Sequence, residues 1–417
     1  MSYLDSENKN LCSGCGACYN ACSHNAIVME EDSEGFLYPH IDNSKCIGCG
    51  LCKKVCPYYS DQSNSSHDFQ QSCFAVTSMH TEYAMKSATI GLCTMISEKI
   101  VEEGGVAFGV KLDESTWRAS HIACFNNEDI EKTRNSKYIQ SDTNDTFKQV
   151  RNYLREGKKV VYVGTPCQVA GLKSYLMKDY KGLLTVDLVC HGTYSYKLLR
   201  EEVSFWEKKY GCPIFNFRFR SKRNYEWTQG GMINFDYASK RGKVNHIERH
   251  GSSSPTYRCY AYSPDGIYYN LRRSCYNCQF RQKNRYGDIT IGDAWGNILD
   301  KNPQLNNKHN IKYGVSLLLC NTLSSQTVKE MLGNLVSYTP LPREQAFSQA
   351  ALIPADREIP LMRDKIYNSI GKIDYGELLE SFFGHSMDYY QRLFRINVLR
   401  QKVKDIIKIL ILYKKWY

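Results

Sequence analysis

The sequence predicts three parts: a small α+β domain at the N-terminus, an α/β domain that becomes mixed α+β towards its end, and a basic C-terminal helix. Three observations predict this. A four-cysteine run recurs with the same spacing near residues 12 and 46. From residue 73 short β-branched runs alternate with helical patterns, the signature of a largely parallel sheet. Residues 390–417 carry Arg392, Arg395, Arg400, Lys402, Lys404, Lys408, Lys414 and Lys415 against a single acid, Asp405.

Composition sets the frame. The 417 residues carry 54 Lys+Arg against 43 Asp+Glu, a formal charge of +11, and are 42% hydrophobic, which suits two or three globular domains and excludes a disordered or collagen-like chain. A mean hydropathy of −0.48 and the lack of an apolar run near ~20 residues argue against a membrane span. The opening MSYLDSENKN has neither a basic nor an apolar leader region, so the chain is expected not to be exported and to be cytoplasmic. In a reducing compartment, clustered cysteines at fixed short spacing are metal or cluster ligands and not disulfides, which decides how to read the 18 cysteines.

The N-terminal domain, residues 1–60, contains Cys12-x2-Cys15-x2-Cys18-x3-Cys22 and Cys46-x2-Cys49-x2-Cys52-x3-Cys56. It resembles a bacterial two-cluster ferredoxin over its whole length. In that pattern three thiolates of each run hold one 4Fe-4S cluster and the fourth crosses to the other. The resemblance therefore groups Cys12, Cys15, Cys18 and Cys56, and separately Cys46, Cys49, Cys52 and Cys22. Gly14, Gly16, Gly48 and Gly50 suit loops that wrap a cluster closely. A pair of zinc sites is the alternative, but it leaves the repeated register unexplained. Ser23 replaces the proline that usually follows the fourth cysteine, a change in the local turn only.

Residues 61–72 are polar and without periodicity, a linker composition. Residues 73–389 form the second domain. Strands are predicted at Cys73–Thr77, Gly105–Val110, Lys159–Gly164 and Leu183–Cys190, with helices at Ala84–Glu103, Thr146–Glu156 and Pro166–Tyr175. Further strands around Asn216, Gly231 and Asp288 lack clear intervening helices, hence mixed α+β. Cys167 follows a strand and Gly-Thr-Pro at a helix start, where a thiolate is favoured, and Cys190-His191-Gly192 closes the next strand. The C-terminal ends of parallel strands share an edge at which ligands bind. With Cys275 and Cys278 these cysteines make a candidate set for a third 4Fe-4S cluster. A zinc site of Cys190, His191, Cys275 and Cys278, or a lone redox nucleophile at Cys167, are the other readings.

Ser136-Lys-Tyr-Ile-Gln-Ser141, Gly164-Thr-Pro-Cys-Gln-Val-Ala-Gly-Leu172, Asp187-Leu-Val-Cys-His-Gly192, Cys275-x2-Cys278 and Gly287-Asp-Ile-Thr-Ile-Gly-Asp-Ala-Trp-Gly296 together resemble the coenzyme F420 hydrogenase/dehydrogenase beta-subunit family. The likeness spans roughly residues 10 to 300, and extends to members encoded in bacterial polysaccharide-biosynthesis loci. It implies a flavin domain whose FAD passes electrons between iron–sulfur clusters and a two-electron carrier such as a deazaflavin, with the dispersed cysteines holding a cluster near the flavin. Candidate FAD contacts are Thr89, Lys137, Tyr138, Ser141, Gly164, Thr165, Gln168 and Asp293. Lys137 as a solvated charge, Tyr138 as a core ring and Asp293 as an edge-strand cap are their structural counterparts. Where the family usually has Ser-x-Ser-Gly-Gly, this chain has Ser87-Ala-Thr-Ile-Gly91.

His191 is a candidate proton donor to a reduced flavin or substrate, or a hydrogen-bonded structural residue. Arg272, Arg273, Arg281 and Arg285 could attract an acidic carrier, dampen cluster charge or form solvated faces. No nucleic-acid-reading motif is present. In the C-terminal helix Leu399, Val403, Ile406, Ile407 and Leu410 share a face, which suits either peripheral membrane contact or docking on the domain. The leading expectation is an iron–sulfur flavoprotein oxidoreductase with a redox partner protein or a small two-electron carrier. The competing ones are a non-catalytic electron-transfer subunit that has lost flavin, favoured by the altered Ser87–Gly91 stretch, and a flavoprotein that reduces a sugar-derived substrate.

Overall fold

A computed structural model describes residues 3–59, 71–354 and 357–414, with the side chains of residues 350 and 405–414 outside the description. The predicted linker therefore falls almost entirely outside the described residues, and the described chain resumes at Gln71.

The N-terminal segment folds as an antiparallel pair, β1 (Ile27–Glu31) and β2 (Leu37–Ile41), with short helices at Ala17–Ala21 and Leu51–Lys54 directly after the first cysteines of each run. The larger part is a nine-stranded sheet. Its strands are β3 (Ser72–Thr77), β4 (Val106–Asp113), β5 (Arg118–Cys124), β6 (Ser141–Asp142), β7 (Val160–Gly164), β8 (Leu183–Leu188), β12 (Ile289–Asp293), β13 (Ser316–Cys320) and β14 (Ser337–Leu341). The remaining strands, β9 (Ile214–Arg218), β10 (Met232–Ala238) and β11 (Val244–His250), form a separate antiparallel sheet.

The order across the large sheet is β14-β3-β13-β12-β8-β7-β4-β5-β6. Its centre, β12-β8-β7-β4, is parallel, and antiparallel strands flank it on both sides. The expected parallel sheet is thus the middle of a mixed one. The strand at residue 288, expected in the mixed α+β later part of the same domain, pairs parallel with β8 and belongs to the sheet's centre. The strands read as continuous apolar runs because both faces are covered. Along β13, Leu318 and Cys320 enter one core while Leu317 and Leu319 enter another on the opposite face.

The long helix expected over Ala84–Glu103 is broken. Helices Thr81–Lys86 and Leu92–Glu102 are separated at Ser87–Gly91, where Gly91 has φ +88°, a conformation that only glycine takes without strain. The strand expected to reach Cys190 ends at Leu188, which frees Val189 and Cys190 for the loop at the sheet edge.

Helices Thr146–Arg155 and Pro166–Leu176 cover one face of the sheet. Their Phe147, Val150, Val169 and Leu172 share a core with Cys15, Ala17, Ala21 and Val55 of the N-terminal segment. The same segment lends Phe36, Leu37 and Tyr38 to an aromatic core formed with helix Tyr196–Tyr210 and the three-stranded sheet. Two parts that the sequence separates by a linker are therefore fused through shared cores.

Glu202, on that helix, is 0% exposed, and neither carboxylate oxygen makes a hydrogen bond. Burial pushes its pKa up to about 7, against the weaker opposing pull of nearby Ser254, Trp206 and Tyr375. A raised carboxyl pKa means stability that is full below about 4.5 and is lost as pH rises towards 7. Glu202→Gln is thus expected to be more stable than the parent at pH 8, by about 3 kcal/mol, and nearly equal to it at pH 5. Thermal unfolding at both pH values checks this; a pH-independent difference would remove Glu202 from the titration.

The C-terminal helix runs Met387–Lys414 and so begins three residues before the expected boundary at 390. Its first turns dock: Met387 and Tyr390 enter the aromatic core, Gln391 Oε1 accepts from His250 N and Ser253 Oγ, and Phe394 stacks on His250 with centroids 4.0 Å apart. Further along, Leu399 is 62% exposed and Val403 54%. Ile406, Ile407 and Leu410, on which the membrane-contact expectation also rests, lie outside the described side chains. Among the described residues no helix is long and apolar enough to cross a membrane.

Candidate functional site

The two N-terminal loops have the same backbone shape. Gly14, Gly16, Gly48 and Gly50 all take positive φ, between +66° and +78°, the left-handed turn that lets each loop curl round its cysteines. Amides point at sulfur: Gly14 N lies 3.4 Å from Cys12 Sγ and Ala26 N 3.3 Å from Cys22 Sγ. Burial pushes Cys18 well up, and Cys15, Cys12 and Cys56 push it further. Cys52 is raised by burial, with Cys49, Cys22 and Cys46 adding to it. Buried thiols that crowd one another in this way are costly to ionise alone, and a metal cluster is the partner that removes the cost.

The loops differ in their surroundings. A side chain at Gly14 would strike Gln140, one at Gly16 would strike Thr143, and one at Gly171 of helix Pro166–Leu176 would strike Cys15 Sγ. Gln140 Nε2 donates to Gly14 O at 2.8 Å, and Asn20 Nδ2 to Asn144 O at 2.8 Å. Around Gly48 and Gly50 a side chain would meet nothing.

The third set converges from three places. Cys167 is the second residue of helix Pro166–Leu176, and Cys190 lies just past β8. The parallel pairing of Val163 with Val186 and Gly164 with Asp187 brings these two strand ends to one sheet edge. Cys275 and Cys278 come from the short helix Arg273–Tyr276 and the turn after it. All four line one cavity, together with Ser141, Thr165 and Gln168. Burial raises Cys190 to about 12, with Cys275 and Cys167 adding to it; Cys278 is pushed well up by burial and by the other three. Gly192 N approaches Cys190 Sγ at 3.4 Å and Thr165 Oγ1 approaches Cys167 Sγ at 3.2 Å. Cys167 also acts on Cys15, so this cavity adjoins the first N-terminal set. The donor chemistry, four thiols with amide and hydroxyl groups aimed at sulfur, fits a 4Fe-4S cluster at each of the three sets. Among the described residues no group of three or more His, Cys, Asp or Glu is arranged for a single metal ion.

The expected FAD contacts divide. Thr165 and Gln168 form a capping box, and Gln168 Nε2 donates to Ser141 O and Oγ at 2.9 Å each. These three residues sit on the cavity wall. Gly164 is packed behind Tyr162, whose ring lies 3.0 Å from where a side chain would start. Lys137 donates to three backbone carbonyls, those of Thr133, Arg134 and Asn135, and burial lowers its pKa to about 7. Its ammonium is thus engaged with its own chain.

Thr89, Tyr138 and Asp293 gather elsewhere on the same sheet edge. Thr89 Oγ1 donates to Asp293, while Arg220 reaches Asp293 Oδ2 at 2.9 Å and Tyr138 Oη at 3.3 Å. Lys222 Nζ donates to Thr89 O at 2.7 Å, and Trp227 stacks on Trp295 at 4.0 Å. Arg220 and Lys222 are buried, and Arg220 Nη2 has no partner. The guanidinium nitrogen left open at buried Arg220 fits the phosphate of an anionic cofactor, whereas Lys222 is spent on the Thr89 and Tyr313 carbonyls and burial lowers its pKa to about 7. Sequence reasoning passed over this pair. The signal was Phe217-Arg-Phe-Arg-Ser-Lys222, whose Arg220 and Lys222 both turn inward past the end of β9.

His191 Nδ1 lies 3.3 Å from Tyr268 Oη, and burial, with Arg281 nearby, lowers its pKa to about 4. The arginines near Cys275 are not a solvated face. Arg272 is 0% exposed, Arg281 4% and Arg285 7%, while Arg273 pairs with Glu34 and Asp364. Arg272 ties the two parts together: Nε donates to Cys12 O at 2.7 Å, Nη1 to Gln140 Oε1 at 2.6 Å and Nη2 to Leu37 O at 2.9 Å, with its guanidinium over the Tyr38 ring.

Comparison with known proteins gives two family matches. Residues 157–334 match the C-terminal part of the coenzyme F420 hydrogenase/dehydrogenase beta-subunit family, a span that contains Cys167, Cys190, Cys275 and Cys278. Residues 11–59 match the 4Fe-4S dicluster domain, a span that contains both N-terminal runs. A curated relative, the coenzyme F420-dependent sulfite reductase of Methanocaldococcus jannaschii, is 26% identical over 189 residues, 44% of this chain and 28% of that protein. The chain thus aligns with about a quarter of that relative's length. Among solved structures, a chain of the F420-reducing [NiFe] hydrogenase complex from Methanosarcina barkeri aligns over 72% of this chain and 91% of its own, with 18% identity and a TM-score of 0.37.

Proposed function

We propose that this chain, with its 4Fe-4S dicluster match at residues 11–59 and its beta-subunit match at residues 157–334, is an iron–sulfur electron-transfer oxidoreductase related to F420-dependent enzymes. The observation that carries the reading is the succession of three four-cysteine sets, from the exposed second loop through the first loop to the cavity at the sheet edge. Cys22, Cys46, Cys49 and Cys52 would hold one cluster, Cys12, Cys15, Cys18 and Cys56 the next, and Cys167, Cys190, Cys275 and Cys278 the third. FAD is the proposed second cofactor, with Arg220 and Thr89 available to its phosphates and Ser141, Thr165 and Gln168 along the cavity wall. When bound, the clusters exchange single electrons and the flavin couples these to a two-electron carrier such as a deazaflavin.

The chain's own residues supply position and field. Thr165 Oγ1 and the amides of Gly14, Ala26 and Gly192 point at sulfur and favour the thiolate forms. Buried Arg272 sets a fixed positive charge beside Cys12, offsetting the charge that four thiolates bring. The capping box holds Cys167 at the helix start, where the backbone dipole favours an anion.

A flavin-free relay that serves a partner enzyme is the second reading, favoured by the engaged Lys137 and the packed Gly164. Anaerobic purification with iron, sulfide and flavin assayed on one sample separates the two. About twelve irons with one flavin per chain is expected, whereas about twelve irons without flavin after added FAD supports the relay. About eight irons would remove the third cluster.

A further inference from the structure

The two cysteine loops share a sequence pattern and a backbone shape, yet only one is covered. Residues 43–50 are exposed without interruption, Ile47 to 64%, and Cys46 and Cys49 are exposed cysteines. In the first loop, by contrast, Cys15 is buried against helix Pro166–Leu176, and Gly14 and Gly16 are closed in by Gln140 and Thr143. Lys45 on the loop and Lys53 and Lys54 on the short helix after it are exposed; Lys45 pairs with Asp42 and Lys53 with Asp5, and Lys45 and Lys53 keep 59% and 54% of their side chains exposed. The whole chain, at +11, adds a long-range field of the same sign.

We propose that the 43–54 loop is the docking face for a small acidic one-electron carrier protein, of the ferredoxin or flavodoxin class, with Ile47 as its apolar centre and Lys45, Lys53 and Lys54 as its rim. This deepens the electron-transfer reading and rests on it. Negative charge on the carrier complements the lysine rim and sets the encounter rate, while Ile47 gives the contact a small desolvated centre. A bare loop also brings the carrier close to Cys46 and Cys49, which are exposed on it. Electrons then pass inward, one per encounter, the carrier being oxidised by one as the bound centre is reduced by one, or outward by the reverse.

The test uses the full-length protein, purified and reconstituted anaerobically, with a plant-type [2Fe-2S] ferredoxin as the acidic probe. Binding is measured by calorimetry with both proteins oxidised, so that the readout does not depend on turnover. Ile47→Asp, and separately Lys45→Glu with Lys54→Glu, are each expected to weaken binding roughly tenfold at low salt, and raised salt should weaken the parent. Arg392→Glu with Arg395→Glu, on the C-terminal helix, should bind as the parent does. Unchanged affinity in the loop variants, equal loss in the C-terminal variant, or no binding by the parent would each overturn the docking face. Iron assayed on the same samples separates the two failures: loop-dependent binding by a protein that holds fewer than about eight irons leaves the docking face standing and removes the electron-transfer reading.

Discussion

Replacing Cys278 by alanine is expected to lower the iron content of anaerobically purified protein from about twelve to about eight atoms per chain, with sulfide falling in step. Cys278 shares its cavity with Cys167, Cys190 and Cys275, and each of these thiols raises its pKa after burial has done so. A cluster left with three thiolates and an open iron is readily lost, whereas the eight N-terminal cysteines remain intact. Cys190→Ala should give the same loss, because it belongs to the same set. Cys320→Ala provides the control, since Cys320 lies buried in β13 with Leu317, Leu318 and Leu319 and should leave iron unchanged. Full iron retention in both cavity variants would show that the third set does not hold a cluster. Loss of zinc instead of iron would return the site to the zinc reading.

Arg272→Ala is expected to be the most damaging single change outside the cysteines, costing on the order of 3 kcal/mol or more. The guanidinium satisfies Cys12 O, Gln140 Oε1 and Leu37 O at once, and it covers the Tyr38 ring at 3.9 Å. Its removal takes this donor from Gln140 Oε1 and Leu37 O, leaves Cys12 O with Ser274 Oγ alone, and opens a void at the seam between the N-terminal segment and the larger sheet. Thermal unfolding of the cluster-loaded protein should shift down by several degrees, and bleaching of cluster absorbance should precede loss of helix signal. Arg272→Lys should recover only part of the loss, because an ammonium cannot serve three acceptors in one plane. An unchanged unfolding temperature in the alanine variant would mean that the shared apolar cores alone hold the seam.

Much of the fold was legible locally. β7, helix Thr146–Arg155 and helix Pro166–Leu176 match their predicted spans to within a residue or so, because each is a short run whose periodicity and caps lie in the run itself. The break at Ser87–Gly91 was not read: Ser87 turns extended after the first helix, with φ −117° and ψ 167°, and Gly91 takes φ +88° before the second. The partners of β12 were not read for a related reason: strand partners a hundred residues apart leave no mark on local pattern.

The sequence by itself determined the chemistry of the two cysteine runs, whose repeated spacing is complete within each run, whereas Cys167, Cys190, Cys275 and Cys278 stood as one candidate ligand set beside a zinc site and a lone redox thiol. Which groups meet was decided only by the tertiary structure. Arg272, Arg281 and Arg285, for which a solvated face and a charge-dampening role were both open, are buried; Arg220 and Lys222, to which the sequence assigned no role, sit beside Asp293; and two loops of one pattern became one covered and one bare. The physical reason is that burial and charge pairing are sums over neighbours distant in the chain, which a local run of residues does not contain.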